Sequence, residues 1–291
     1  MKILVTGGDG FLAKNIKKSL GTKYYIDNPT SKELDLLNVD LVEFYLTKIN
    51  YDVVIHAANY DVTSKISVKD PALVVENNLK MFFNLIKFKK SFGKFLMLGS
   101  GAEYNRLHWT LNMLEGYFGK YIPSDPYGFS KYIISSYIIQ HGAPFYVLRL
   151  FSIFGKYENW INRFISNSLC RVLYKLPIRV SNPDIVLDYL YINDFILILD
   201  WFISNTPKFS DYNICSGIPR RLDRMAKHIT LIAGGDISIE QSEIIYRYSG
   251  NNLRLLREFP FHRTNLRENL RELYEWYKLR IDKINPEFLT L

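Results

Sequence analysis

The chain has 291 residues, 48% hydrophobic and 15% aromatic. That supports a large packed core and excludes the composition of a disordered protein. Two cysteines, Cys170 and Cys215, are too few for a disulfide framework or a thiolate metal site, and a reducing compartment fits. The formal charge is +8, but the basic residues are scattered among acids with no aromatic-plus-basic module, so a solvated basic surface is the reading and nucleic acid is not an expected partner.

The opening Lys2–Val5 is too short for the apolar core of a secretory signal before Gly7 and Gly8 interrupt it. No stretch approaches the ~18 apolar residues of a membrane span. The expectation is a soluble, cytoplasmic protein with no membrane partner. Lys2–Val5 reads as a strand, Gly10–Leu20 as a helix, Tyr24–Ile26 as a strand and Val39–Ile49 as a helix. Val53–His56 is a strand, Ala72–Phe92 a long helix and Phe95–Leu98 a strand; Lys131–His141 is helical and Tyr146–Leu150 extended. Strands separated by helical crossovers imply a parallel sheet covered on both faces. Beyond Ile153 the rhythm is irregular: Asn159–Tyr174 helical, Asp188–Tyr191 extended, Asp194–Asn205 helical, and Leu266–Ile281 an amphipathic helix.

The expected fold class is therefore α/β, a Rossmann-type doubly wound parallel sheet with a smaller C-terminal substrate-binding region. Residues 1–155, with about 186–210, make the dinucleotide-binding part, and 156–185 and 211–291 the substrate region. Thr6-Gly7-Gly8-Asp9-Gly10-Phe11-Leu12-Ala13 joins the first strand to the first helix. Glycine allows a tight turn and lets a pyrophosphate approach backbone amides at a helix N-terminus. Asp27 follows the second strand at about the ~20-residue spacing of an acid that takes ribose hydroxyls, which favours NAD. Lys32, nearby, favours a 2′-phosphate, so NAD against NADP stays open.

These residues resemble the extended short-chain dehydrogenase/reductase family of nucleotide-sugar epimerases, dehydratases and reductases. The resemblance runs from Thr6–Ala13 through Asp35-Leu36, Val53–Ala58, Asn78, Leu98-Gly99-Ser100 and Tyr127-Gly128-Phe129-Ser130-Lys131. It continues with Leu148–Phe151, Asp188–Asp194 and Tyr212–Gly217. It implies a cofactor site at Gly7, Gly10, Phe11, Leu12, Asp27, Asp35, Leu36, Ala57, Ala58, Asn78, Tyr127 and Lys131, with NAD(P)H as the cofactor. A homodimer through helices including Ala72–Phe92 and Tyr127–His141 and a role in surface-polysaccharide sugar synthesis are also implied.

Tyr127 and Lys131 are one helical turn apart and share a face. A tyrosine titrates near ~10, and an adjacent ammonium is expected to lower it. Ser100, at a strand end, polarises the substrate oxygen, completing a catalytic trio. His56 reads as a packed residue, and the other histidines have no metal-ligand spacing, so no metal is expected.

Where family dehydratases resemble one another in an Asp-Glu pair, this chain has Gly101 and Ala102, with Glu103 one place late. Where epimerase–reductases resembling GDP-fucose synthase have a cysteine and a histidine, it has Ala102 and Tyr157. The short stretch from Pro29 to Leu36 is similar to the layout of nucleotide-4-keto-6-deoxysugar reductases. A nucleotide-diphosphate sugar is thus the expected partner and 4-keto reduction the expected reaction. A C4-epimerase holding NAD, or a non-catalytic dinucleotide sensor, stands as the alternative. Leu187 replaces the family's pyrophosphate arginine and Ser152 its asparagine. Asn159 and Arg163 are the favoured substrate contacts, with Arg179 and Arg254 as other candidates.

Overall fold

The computed structural model describes residues 1–62, 67–240 and 242–289. The first half contains β1 (Lys2–Val5), α1 (Phe11–Leu20), β2 (Tyr25–Asp27), α2 (Val39–Lys48), β3 (Tyr51–His56), α3 (Val74–Lys87), β4 (Phe92–Ser100), α4 (Pro126–His141) and β5 (Phe145–Leu150). The second half adds β6 (Ser152–Phe154), α5 (Phe164–Leu173), β7 (Ile178–Val180), β8 (Val186–Tyr191), α6 (Ile192–Ser204), β9 (Asp211–Ile214) and β10 (Pro219–Arg221). It ends with α7 (Leu222–Ala233), β11 (Ile237–Ile239), β12 (Arg247–Tyr248), α8 (Leu253–Leu256) and α9 (Leu266–Lys278).

Six parallel strands form the central sheet in the order β2-β1-β3-β4-β5-β9. Alternate residues along each strand face opposite sides. Ile3, Val5, Val53, Ile55, Leu96, Leu98 and Leu148 pack on the side of α1 and α6, and Leu4, Val54, Phe95, Met97 and Val147 on the side of α2, α3 and α4. Burial on both faces explains why these strands read as continuous apolar runs. The smaller sheet has the order β10-β8-β12, with β6 also pairing β8, and β11 pairs β7 separately.

Several boundaries differ from the sequence reading. The helix expected at Asn159–Tyr174 starts at Phe164, because the Asn159 side chain accepts a hydrogen bond from the Ile161 amide and makes a turn there. The helix expected at Ala72–Phe92 is α3, flanked by single 3₁₀ turns, and Phe92 already belongs to β4. β8 lies in the smaller sheet, while β9 joins the central sheet beside β5, pairing Leu150 with Ile214. The strand ends of β1, β3, β4 and β5 open on the crevice outside the carboxyl edge of the sheet, the usual ligand position in open α/β folds.

Candidate active site

The glycine loop is held by contacts that only glycine permits. Gly7 has φ +77°, and a Cβ there would meet the Ala58 Cα at 2.9 Å. A Cβ on Gly8 would collide with the Asn28 carbonyl. The Gly10 amide donates to the Gly7 carbonyl at 2.8 Å, and Gly10 then leads into α1. Thr6 ties this loop to the end of β3: its hydroxyl accepts from the Ala57 and Ala58 amides at 3.1 and 3.0 Å. The same hydroxyl meets His56 Nδ1 at 3.0 Å. His56 is buried, and burial with the Lys131 charge pushes its pKa down to about 3. It is a packed neutral imidazole, as its sequence position suggests.

The residues expected along the cofactor lie around this loop, in three different states. Ala57 and Ala58, half-buried, directly follow β3, and Phe11 and Leu12 open α1. Asp35 is exposed and caps the Leu37 amide at 2.9 Å, while Leu36 is buried beneath it. Asp27 is engaged within the protein: Tyr45 donates to one carboxylate oxygen at 2.9 Å and Tyr51 to the other at 2.5 Å. Asn78 accepts from the Tyr60 amide at 2.8 Å and donates to the Tyr60 and Val74 carbonyls at 3.0 and 2.9 Å, pinning the β3–α3 loop. One observation fits a dinucleotide in this cradle: the Asn28 side-chain oxygen is buried beside the loop without a hydrogen-bond partner.

Ser100, Tyr127 and Lys131 come together at the end of β4. Asp125 accepts from the Gly128 amide at 2.9 Å and Pro126 occupies the first turn, which starts α4. Gly128 lets that turn close on the Ser100 loop, since a Cβ there would meet the Ala102 carbonyl at 2.7 Å. Ser100 lies next to the Tyr127 phenol, which burial pushes up to about 12 against the opposing pull of the Ser100 hydroxyl. This corrects the expectation that Lys131 lowers the Tyr127 pKa. The Lys131 Nζ sits 5.8 Å from the Tyr127 ring centroid and donates to the Leu98 carbonyl at 3.3 Å. Burial takes the lysine itself down to about 8.

Glu103 is not an acid of the site. Its carboxylate accepts from the Ser100 amide at 2.8 Å, closing a capping box, and from Arg149 Nε at 2.6 Å. Both side chains are fully buried, and Arg149 also pairs Asp211 at 2.8 Å. Tyr157, with φ +71°, stacks edge-on against Trp276 under Lys18 rather than on the crevice.

A cavity of about 630 Å³, lined among others by Ser152, Arg163, Leu187, Tyr189, Tyr246 and Tyr248, adjoins this centre at Tyr248, whose hydroxyl lies over Gly101. Arg163 lines this cavity, whereas Asn159 does not: it is exposed in its own turn, and its side-chain oxygen accepts from the Ile161 amide. Arg179 pairs the exposed Glu240, and Arg254 is committed to Asp211 and Glu115. Sequence reasoning missed Arg106, Glu158 and Tyr248, which also line the cavity. For Tyr248 the alternation Tyr246-Arg247-Tyr248 is a local signal, since extended backbone turns both rings to one face.

With this geometry in view, the comparisons agree. The model of the NAD dependent epimerase/dehydratase family matches residues 3–215. The chain belongs to that family. It is an enzyme of the extended short-chain dehydrogenase/reductase type. It is 27% identical over 295 residues to the GDP-6-deoxy-D-talose 4-dehydrogenase of Aggregatibacter actinomycetemcomitans, covering 94% of this chain and 97% of the relative. It is 24% identical over 256 residues to the GDP-6-deoxy-D-mannose reductase of Pseudomonas aeruginosa, 82% and 83% of the two chains. Its fold matches a GDP-L-fucose synthetase from Naegleria fowleri bound to NADP with a TM-score of 0.83 at 17% identity, covering 97% and 93%. A UDP-glucose 4-epimerase from Thermotoga maritima matches at TM-score 0.81 and 18% identity, covering 97% and 100%.

Proposed function

We propose that the protein is an NAD(P)H-dependent reductase of a nucleotide-linked 4-keto-6-deoxysugar, acting in the cytoplasm as a homodimer to supply surface-polysaccharide sugars. The observation that carries this reading is the convergence of Ser100, Tyr127 and Lys131 at a centre where positions 101 and 102 hold no carboxyl and Glu103 is tied to Arg149. Such a centre has the parts for ketone reduction and lacks the acid–base pair for eliminating water. Full-length relatives named for GDP-linked 6-deoxysugars support the substrate class. For the dimer, α3 and α4 pack together, and Leu73, in the turn before α3, and Phe83, on α3, are exposed.

The glycine loop, with Gly7, Gly10, Phe11 and Leu12, holds the pyrophosphate, and Asp35 faces the adenosine end, while Asp27 is held by Tyr45 and Tyr51 at the end of β2. When bound, the reduced nicotinamide supplies the hydride. The chain's own groups do the rest. Ser100 donates a hydrogen bond to the ketone oxygen and stabilises the negative charge that grows there. Tyr127, a neutral phenol at its raised pKa, donates the proton to that oxygen. Lys131, held beneath the phenol, stabilises the tyrosinate left behind and holds the nicotinamide ribose. Arg163 and Arg106 bind the substrate diphosphate in place of the arginine that Leu187 replaces.

The test follows reduced-nicotinamide absorbance with NADH and NADPH against a panel of nucleotide-4-keto-6-deoxysugars, using wild type and Tyr127→Phe. Substrate-dependent oxidation in wild type, lost in the variant, is the expected result. No oxidation with either cofactor would overturn the reading, and a change of sugar configuration without net oxidation would favour a C4-epimerase.

A further inference from the structure

The first turn of α4 and the substrate cavity meet at one carboxylate. An N-cap needs a single acceptor, and Asp125 Oδ1 supplies it by accepting from the Gly128 amide at 2.9 Å. The second oxygen, Oδ2, is buried and makes no hydrogen bond among the described residues. It stands 3.2 Å from Arg106 Nε as an ion pair. Serine or asparagine would cap this helix as well, so the cap alone does not account for a charge at position 125. Arg106 is held from two sides. Besides the ion pair, its guanidinium lies 4.9 Å from the Trp109 ring centroid, and Trp109 in turn packs on Tyr248 at 4.1 Å between centroids. The turn that carries it is pinned by Asn105, whose side chain accepts from the Leu107 amide at 3.0 Å and donates to the Ile122 carbonyl at 2.7 Å. Arg106, Trp109 and Tyr248 all line the cavity. With Nε turned to Asp125, the guanidinium still offers its terminal nitrogens to an anion.

We infer that Asp125 is a positioning residue that registers the substrate's anchor to its proton donor. One carboxylate oxygen fixes the turn that carries Tyr127, two residues on, and the other fixes Arg106 toward the substrate diphosphate. The inference rests on the reading of Arg106 as a ligand of that diphosphate. A free arginine side chain loses rotamer freedom when it binds. One already held by Asp125 and Trp109 loses less, and its place relative to Tyr127 is set before the substrate arrives. The negative charge of Asp125 itself opposes an approaching diphosphate, so the sign of the effect separates two roles. A carboxylate that only competes for Arg106 weakens anion binding by its presence, whereas one that positions the guanidinium strengthens it.

The first arm of the test needs neither cofactor nor substrate. Fluorotryptophan labelling gives the Trp109 resonance by fluorine NMR, assigned with Trp109→Phe, in wild type, Asp125→Asn and Arg106→Gln. Asparagine keeps the cap, so the Tm should stay close to wild type. The Trp109 resonance is expected to move in Asp125→Asn toward its place in Arg106→Gln. A resonance identical in wild type and Asp125→Asn would overturn the inference. The second arm measures, by calorimetry, whichever of GDP, UDP and dTDP binds wild type tightest, in the same variants and their double variant. Asp125→Asn is expected to weaken binding about fivefold and to have no further effect beside Arg106→Gln, because the two side chains act as a unit. Equal or tighter binding in Asp125→Asn would overturn the inference, as would a loss that persists without Arg106. In the proposed reduction, Asp125→Asn raises KM more than it lowers kcat, whereas Asp125→Ala, which also removes the cap, lowers kcat and Tm together. A fall of kcat and Tm in Asp125→Asn at unchanged KM would reduce the residue to its cap. A wild type that binds none of the three nucleotides would count against the nucleotide-sugar reading alone, leaving the Trp109 resonance to decide this one.

Discussion

Replacing Glu103 by glutamine changes one charge at the centre of the buried ion pair under Ser100. Glu103 and Arg149 are both fully buried and 2.6 Å apart, with no solvent to replace the lost partner. Removing one member of a buried pair costs about 3–5 kcal/mol. The low end applies here, about 3 kcal/mol, because Arg149 keeps Asp211 at 2.8 Å. Glutamine can still accept from the Ser100 amide, so the capping bond survives and the loss falls on the charge pair. At roughly 2–4 °C per kcal/mol for a chain of this order of size, the melting temperature drops by about 6–12 °C. Urea unfolding of wild type and Glu103→Gln, with m compared between them, measures the difference directly. A change below about 1 kcal/mol at unchanged m would refute the claim that the pair is dry and mutually dependent.

Three further outcomes follow from the same geometry. Glu158 is buried in the cavity wall, where desolvation lifts its pKa to about 7 from 4.5. The folded protein thus holds a proton that the unfolded chain has released, so stability falls as pH rises from 4.5 to 7, by about 3 kcal/mol at ~1.4 kcal/mol per unit. Glu158→Gln is expected to flatten that part of the stability profile in denaturant titrations, and an unaltered slope would contradict it. Lys131, at about 8 in the free protein, loses its charge as pH rises through that value, so NAD(P)H affinity measured by fluorescence titration should decline there. Gly7→Ala forces a side chain onto Ala58 at φ +77° and should weaken cofactor binding at least tenfold, read by the same titration.

The parts legible in the sequence are those specified by neighbouring residues. The apolar runs of β1, β3 and β4, the glycine loop and the turn from Tyr127 to Lys131 each depend on a few consecutive positions. What the sequence concealed depends on pairs far apart in the chain. Asp27 has the spacing of a ribose acid, yet Tyr45 and Tyr51 occupy both its oxygens from the next helix and strand. Glu103 resembles a displaced catalytic acid until Arg149, 46 residues on, takes it into the core. Tyr248 reaches the space over Gly101 only because β12 pairs with β8. β9 returns to the central sheet after a stretch whose irregular rhythm gave no strand signal. The expected fall in the Tyr127 pKa failed for a similar reason: the Lys131 charge was foreseeable, but the burial that outweighs it comes from packing.

The most direct measurement of the central claim uses NAD(P)H carrying deuterium at the transferable position and a GDP-linked 4-keto-6-deoxysugar, with the product analysed by NMR and mass spectrometry. The account predicts one deuterium at C4 of the sugar for each cofactor oxidised, in a single configuration, and none with Tyr127→Phe. A product without deuterium at C4, or an isomerised sugar formed with no net loss of reduced cofactor, would contradict it.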